Sequence, residues 1–266
     1  MRHSPSRSDG RGDLTSDPQQ PGAGEGVWLL IGNSRWHWAV GGPGRLRCWS
    51  EVPPVADGGV ARDLLPLLRG WAAVGPVPRR SGLDPLLRLR SDGVPLPGLP
   101  DWIGVDRALV AWQAWCLGRS AALVADAGTA LSLTRVNRHG AFAGGRIQAG
   151  RALQLRSLAQ ATDALPSLAG PPAPTVPAQP EDAWPMATAE AMEQGVRLGL
   201  VAAVSTAWQQ LRTCEPGCRL WVTGGDGPWL AAALGVPCQP DLALDALAAL
   251  RPDPGPPGSC PPWSPP

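Results

Sequence analysis

The sequence predicts an α/β fold of two related lobes, and three observations carry that prediction. Strand-like apolar stretches alternate with helical ones along the chain. A strand–turn–strand–turn–strand pattern occurs twice, over residues 27–52 and again over 121–147. Each time the first strand ends in a polar turn that holds a glycine, first Gly32-Asn33-Ser34 and then Asp126-Ala127-Gly128-Thr129. Internal repetition outweighs local pattern, and here it predicts two lobes that each offer a phosphate-binding turn to a shared cleft.

In the first lobe, strands are expected over 27–31, 35–40 and 45–52, separated by short glycine-rich turns in the manner of an antiparallel meander. Asp63 to Arg69 reads as a short helix and Trp71 to Val77 as a further strand. Residues 78–100 are rich in Arg, Pro and Gly and carry little periodicity. Residues 106–118 (DRALVAWQAWCLG) place apolar side chains three and four apart and end in glycine, which predicts a helix. The pattern then restarts, with strands at 121–125, 131–136 and 141–147. A helix follows at 152–162, then a proline-rich loop at 166–185. The long helix at 188–211 has Thr188 as an expected N-cap and Glu190 and Glu193 in its first turns. A strand at 219–222 enters Thr223-Gly224-Gly225-Asp226, and two short helices close the chain near 229–234 and 241–250. The lobes are expected at 27–105 and 106–251, with disordered tails at 1–26 and 252–266.

Composition narrows the chemistry. A chain of 266 residues with a formal net charge of +1 has no global field for nucleic acid or anionic lipid. No apolar run approaches the ~20 residues of a membrane span, and the N-terminal stretch lacks the apolar core of a secretory signal. A cytoplasmic location is expected. The six cysteines are scattered through a chain long enough to build a core, which favours reduced thiols. Cys214 and Cys218 lack a second ligand pair with zinc spacing, so they read as turn residues. All 23 basic residues are arginine. That removes the lysine of a Walker A loop, the strand lysine of protein kinases and Schiff-base chemistry. If the chain handles a nucleotide, backbone amides, helix ends, hydroxyls, metal ions and arginines must hold its phosphates.

Each motif has a plain reading beside a functional one. Asp126-Ala127-Gly128-Thr129 is either a hairpin turn that bonds its own backbone or a close approach to phosphate with an acid for a cation. Asp106 is either a helix cap or a proton acceptor beside Arg107, which can hold a substrate anion. Gly144-Gly145-Arg146-Ile147, continuing to Gly150, is either an anion-binding turn or a tight strand–helix junction. Thr223 to Asp226 either lines an adenosine pocket or turns the chain. His37 between two tryptophans reads as structural, and His139 as a solvated hairpin tip.

The order of these motifs is more specific than any one of them. GVDRALVAWQA, DAGTALSLTRV, GGRIQAGRALQLRSLAQATDALP, TAEAMEQGVRLG and VTGGD follow one another as in the type III pantothenate kinases, and the chain resembles that family over roughly residues 27–250. The family lies in the acetate/sugar kinase, Hsp70 and actin superfamily. The resemblance implies two duplicated ribonuclease-H-like (actin-like ATPase) lobes around a central cleft. It implies ATP-dependent phosphorylation of pantothenate to 4'-phosphopantothenate, the first step toward coenzyme A, by a homodimer.

Carried over by residue, the resemblance makes Asp106 the proton acceptor. Gly104, Val105, Asp106 and Arg107 line the pantothenate site, and Thr188 contacts pantothenate, in the family from the partner subunit. Asp126 binds a monovalent cation, potassium or ammonium. Thr129 and the first turn, Leu30, Ile31, Gly32, Asn33, Ser34, Arg35, Trp36 and His37, hold ATP with Mg2+. One position departs from the pattern: the family's first motif opens with aspartate, where this chain has Leu30. Two readings follow. Either the metal is held mainly by phosphates and water and the enzyme works, or the chain is a catalytically impaired pantothenate- and nucleotide-binding protein of the same fold.

Overall fold

The two expected meanders appear as two four-stranded sheets of identical topology. The structure is a computed structural model that describes residues 21, 24–42, 45–54, 63–168 and 184–252. Most of the expected tails and most of the proline-rich loop lie outside these residues. The first sheet holds β1 (Gly26–Ile31), β2 (Trp36–Gly42), β3 (Arg45–Glu51) and β4 (Leu68–Ala73) in the order β3-β2-β1-β4. The second holds β5 (Ala122–Ala127), β6 (Ala130–Val136), β7 (Phe142–Ala149) and β8 (Arg219–Thr223) in the order β7-β6-β5-β8. In both, the first three strands run antiparallel and the fourth pairs parallel with the first.

The period-two alternation of β1 explains its fully apolar sequence. Trp28 and Leu30 face one apolar cluster, while Val27, Leu29 and Ile31 face another with Trp36, Trp38 and Trp71. A strand covered on both faces reads as a continuous hydrophobic run. Between the sheets lie α1 (Val105–Gly118) and α5 (Leu242–Leu250). Their side chains Leu109, Trp112, Leu242 and Leu247 pack with Trp28 and Leu30 of one sheet and with Ala122 and Val124 of the other. The indole of Trp28 donates to the carbonyl of Arg251 at 2.7 Å, tying the end of α5 to the first sheet. The outer face of the second sheet is covered by α2 (Arg151–Ala161), α3 (Thr188–Cys214) and α4 (Gly227–Leu234).

Three local expectations need correction. The helix expected over 63–69 is one 3-10 turn, Leu65–Leu67, after which β4 begins at Leu68 rather than Trp71. Pro66 allows a first turn but the parallel pairing with β1 takes the following backbone groups. Thr188 is the first residue of α3, and its N-cap is Ala187 with no side-chain bond. The tryptophan-rich helix near 110, which with the helix near 200 is a candidate for subunit contact on sequence, is the internal layer α1, buried along most of its length. The five described cysteines are all free thiols.

Candidate functional site

The two polar turns are built the same way. In the first, the Gly32 amide donates to the Arg35 carbonyl at 2.9 Å, and Val74 and Gly75 amides donate to Ile31 at 2.9 and 3.2 Å. In the second, the Gly128 amide donates to Ala130 at 3.0 Å and the Asp226 amide to Ala127 at 2.8 Å. Each turn leans on a glycine after the parallel strand. A methyl group on Gly75 would sit 2.1 Å from the Gly32 carbonyl oxygen, and one on Gly224 would sit 2.4 Å from that of Ala127. Only glycine permits such an approach. Gly150, at the end of β7, donates its amide to Thr129 at 3.0 Å, which makes that stretch a tight junction closing on the second turn. The turns meet: Ser34 Oγ lies 2.6 Å from Thr129 Oγ1.

Two acids come together behind the turns. Asp106 stands in the first turn of α1, where Gly104 is the N-cap, and its Oδ1 accepts the Arg107 amide at 2.8 Å. Burial raises its pKa above the usual carboxylate value, against the opposing effect of that amide and of the Arg107 charge. Asp126 is the last residue but one of β5, and burial first, then the neighbouring Asp106 charge, push it up to about 7. Two carboxylates that repel each other in a poorly solvated site are a common mark of chemistry. A raised Asp106 is a better base near neutral pH than an ordinary aspartate.

Arg107 is buried and turned toward the second sheet. Its Nε donates to Thr134 Oγ1 at 3.2 Å, and a methyl group on Gly145 would lie 2.5 Å from its Nη2. Burial lowers its pKa and Asp106 opposes that shift.

The remaining expected residues divide by strand face. Asn33, Ser34, Arg35 and Thr129 are exposed at the turns, and Gly32 is half-buried there. Ile31 and Trp36 point into the outer cluster of the first sheet, away from α1. Val105 is in the inner core. Leu30 is 6% exposed and packs in that same inner core. It stands two residues before the turn glycine, as Asp126 does in the second lobe, and pairs with His37 and Ala72 where Asp126 pairs with Ser132 and Thr223. Thr188 is exposed, and among the described residues no hydrogen bond links it to Asp106 or Arg107.

Two arrangements were not foreseen. His37 Nδ1 lies 2.7 Å from Ser50 Oγ, and its ring stands beside Gly32. Arg151 bonds Glu193 at 2.5 Å, which joins the starts of α2 and α3 next to the second turn. The second had no signal in the sequence, because the burial of Arg151 appears only where α2 meets α3.

Among the described residues, no group of three or more His, Cys, Asp or Glu side chains forms a metal shell. The donor set offers a cation the single carboxylate of Asp126, whose pKa burial raises and which no arginine charge offsets among the described residues. It fits magnesium only as an ion held chiefly by phosphate oxygens and water, its usual habit.

Comparison with known proteins follows the same lines. A family model described as Type III pantothenate kinase matches residues 98–210. A type III pantothenate kinase of Thermosynechococcus vestitus is 35% identical over 77% of this chain and 79% of its own length. One of Synechococcus elongatus is 34% identical over 84% of this chain and 94% of its own. Among solved structures, a Campylobacter jejuni protein described as a Baf family transcriptional activator superposes with a TM-score of 0.58 at 17% identity, over 84% of this chain and 96% of that one. The last likeness concerns the fold alone.

Proposed function

The chain belongs to the type III pantothenate kinase family and is an enzyme of that type, and on that premise we propose that it transfers the γ-phosphoryl group of ATP to the primary hydroxyl of pantothenate. The product is 4'-phosphopantothenate, the first intermediate toward coenzyme A. The observation that carries this reading is the meeting of the two turns at Ser34 and Thr129 beside the coupled acids Asp106 and Asp126.

Phosphoryl transfer asks for alignment and charge stabilisation more than for covalent catalysis. Ser34, Thr129 and the amides of the two turns align the phosphates. Asp106 accepts the hydroxyl proton as the new oxygen–phosphorus bond forms, and the bond to the β–γ bridging oxygen breaks to release ADP. Arg107, with Gly104 and Val105, takes the pantothenate carboxylate. Asp126 holds potassium or ammonium, whose charge relieves its burial. Magnesium, when bound, spreads the charge of the phosphates. None of these roles needs a lysine.

The lobes at 27–105 and 106–251 would close on this cleft. A homodimer completes the site with Thr188 from the partner, and the exposed Leu198 of α3 and Ile147 of β7 suit that contact. No described helix is long and apolar enough to cross a membrane.

A coupled assay with ATP, magnesium, potassium and pantothenate, run beside Asp106→Asn, tests the proposal. Potassium-dependent turnover that collapses in the variant upholds it. Pantothenate binding with no turnover at high ATP would instead favour the impaired binder, the reading that Leu30 supports.

A further inference from the structure

Arg107 is a buried cation held by a neutral group, and that bears on what it can bind. Its Nε donates to Thr134 Oγ1 at 3.2 Å. Thr134 is 0% exposed. It lies on the inner face of β6, between Val136 of the apolar core and Ser132, which pairs with Asp126. Its partner across the β6–β7 ladder is Gly145. Directly opposed residues present the same face, so the two form one seat for the guanidinium. The threonine supplies an acceptor. The glycine supplies room, since a methyl group there would lie 2.5 Å from Arg107 Nη2. Beside the seat the β6–β7 register shifts between Thr134 and Val136, and Gly144 takes a φ of +97°. Such a bulge re-aims a strand locally. Among the described residues, no carboxylate forms an ion pair with this guanidinium. Asp106 bonds the Arg107 backbone amide instead.

We propose that Thr134 is a positioning residue that sets the site's preference for a carboxylate: it holds the Arg107 fork by Nε, so that the two Nη groups meet the substrate anion with their charge uncancelled. The inference rests on the pantothenate reading given above. A guanidinium can make two parallel bonds to a carboxylate through either of two edges, Nε with one Nη or the two Nη together. With Nε engaged at Thr134, the second edge is the one left for the ligand.

The neutrality of the anchor matters as much as its position. Nε–H can only donate, so the hydroxyl accepts and orients the fork without neutralising it. A carboxylate at position 134 would hold the fork as firmly and compete with the substrate for its charge. Burial lowers the Arg107 pKa and the Asp106 charge opposes that, but an arginine keeps its proton in such a setting. Thr134 is buried too deeply to touch the substrate, and acts only through Arg107.

The test is steady-state kinetics on wild type, Thr134→Val and Thr134→Ser with two substrates. One is pantothenate; the other is the analogue in which a primary alcohol replaces its carboxylate. Valine keeps the shape and removes the acceptor, whereas serine keeps the acceptor. Thr134→Val should raise KM for pantothenate about ten-fold, the lower worth of a bond to a charged group, with a smaller loss of kcat and little change in KM for ATP. KM for the alcohol analogue should hardly move, so the preference for the acid shrinks by about the same factor. Thr134→Ser should restore that preference. Nitrogen NMR of the guanidinium groups reads the same point on unmutated protein, with Arg107→Lys to assign the signal. The Arg107 Nε–H should exchange slowly with water, and pantothenate should shift the Nη nitrogens more than Nε. Equal losses for acid and alcohol in Thr134→Val, an unchanged KM for pantothenate there, or an Nε–H that exchanges freely overturns the inference and leaves the kinase reading standing. A wild type that neither binds nor phosphorylates pantothenate overturns both.

Discussion

Ser34 Oγ and Thr129 Oγ1 lie 2.6 Å apart although 95 residues separate them. An exposed hydroxyl pair of this kind contributes about 1 kcal/mol at most, so it does not hold the lobes together. It marks a point where the two turns meet, and the proposed function puts one ligand there. Ser34→Ala and Thr129→Ala should each raise the dissociation constant for ATP roughly ten-fold, the worth of one charge-assisted bond, with little change in thermal midpoint. On the proposal that both hydroxyls face the same phosphates, the double variant should lose less than the sum of the two. Strictly additive losses in a binding titration would mean that the hydroxyls act on separate ligands.

Asp126 gives a pH dependence with a definite sign. Its pKa is about 7 in the folded chain against 3.8 as the ordinary value, so the folded state holds this proton more tightly than the unfolded one. Stability from this group is therefore fully present at low pH and is lost as pH rises through that window. The loss is on the order of a few kcal/mol. The thermal midpoint of the ligand-free protein should fall between pH 5 and pH 8, and Asp126→Asn should flatten that fall. Potassium should raise the wild-type midpoint at pH 8 and leave the variant unmoved. An identical potassium response in both would place the cation elsewhere.

Much of this fold is legible in the sequence because its signals are local. β1 and β5 announce themselves as short apolar runs ending in glycine-bearing turns, and their repetition anticipates two sheets of one topology. Leu65 to Ala73 is not legible in that way. Its apolar residues suit a helix face or a strand, and what decides is the distant pairing of β4 with β1. The same holds at the site. Asp106, Arg107, Asp126 and Thr129 can be picked out by motif order, whereas the bond between His37 and Ser50 depends on the β2–β3 register, and the Arg151–Glu193 pair on how α2 meets α3. Register and helix packing are products of the whole chain.

Leu30 offers a test in the opposite direction from a loss of function. Leu30→Asp puts a carboxylate among Trp28, Ala39 and Ala72 in the inner core. Burying that charge should destabilise the free protein by on the order of a few kcal/mol, seen as a lower thermal midpoint. With magnesium and ATP present, the new acid can meet the metal's water shell, as aspartate at this position would in the family motif. ATP affinity should then tighten in the presence of magnesium and stay unchanged without it. Unchanged affinity in both conditions would show that the first turn has no use for an acid.

Two glycines, one in β7 and one at its junction with α2, test the proposed division of substrates between Arg107 and the second turn. A methyl group on Gly145 would lie 2.3 Å from the Leu133 carbonyl oxygen and 2.5 Å from Arg107 Nη2. Gly145→Ala must therefore move the strand and also displace the guanidinium proposed to take the pantothenate carboxylate. A methyl group on Gly150 would lie 2.0 Å from the Gly128 carbonyl oxygen, so Gly150→Ala instead displaces the second turn. Backbone contacts this short leave no flexible side chain to yield, and each variant should lower stability by about 1–3 kcal/mol. What distinguishes them is the kinetic signature. Gly145→Ala should raise KM for pantothenate more than KM for ATP, and Gly150→Ala the reverse. Steady-state kinetics with each substrate varied in turn, on protein shown to be folded by circular dichroism, decides the matter. If both variants raise the two constants in the same proportion, Arg107 and the second turn do not serve different substrates.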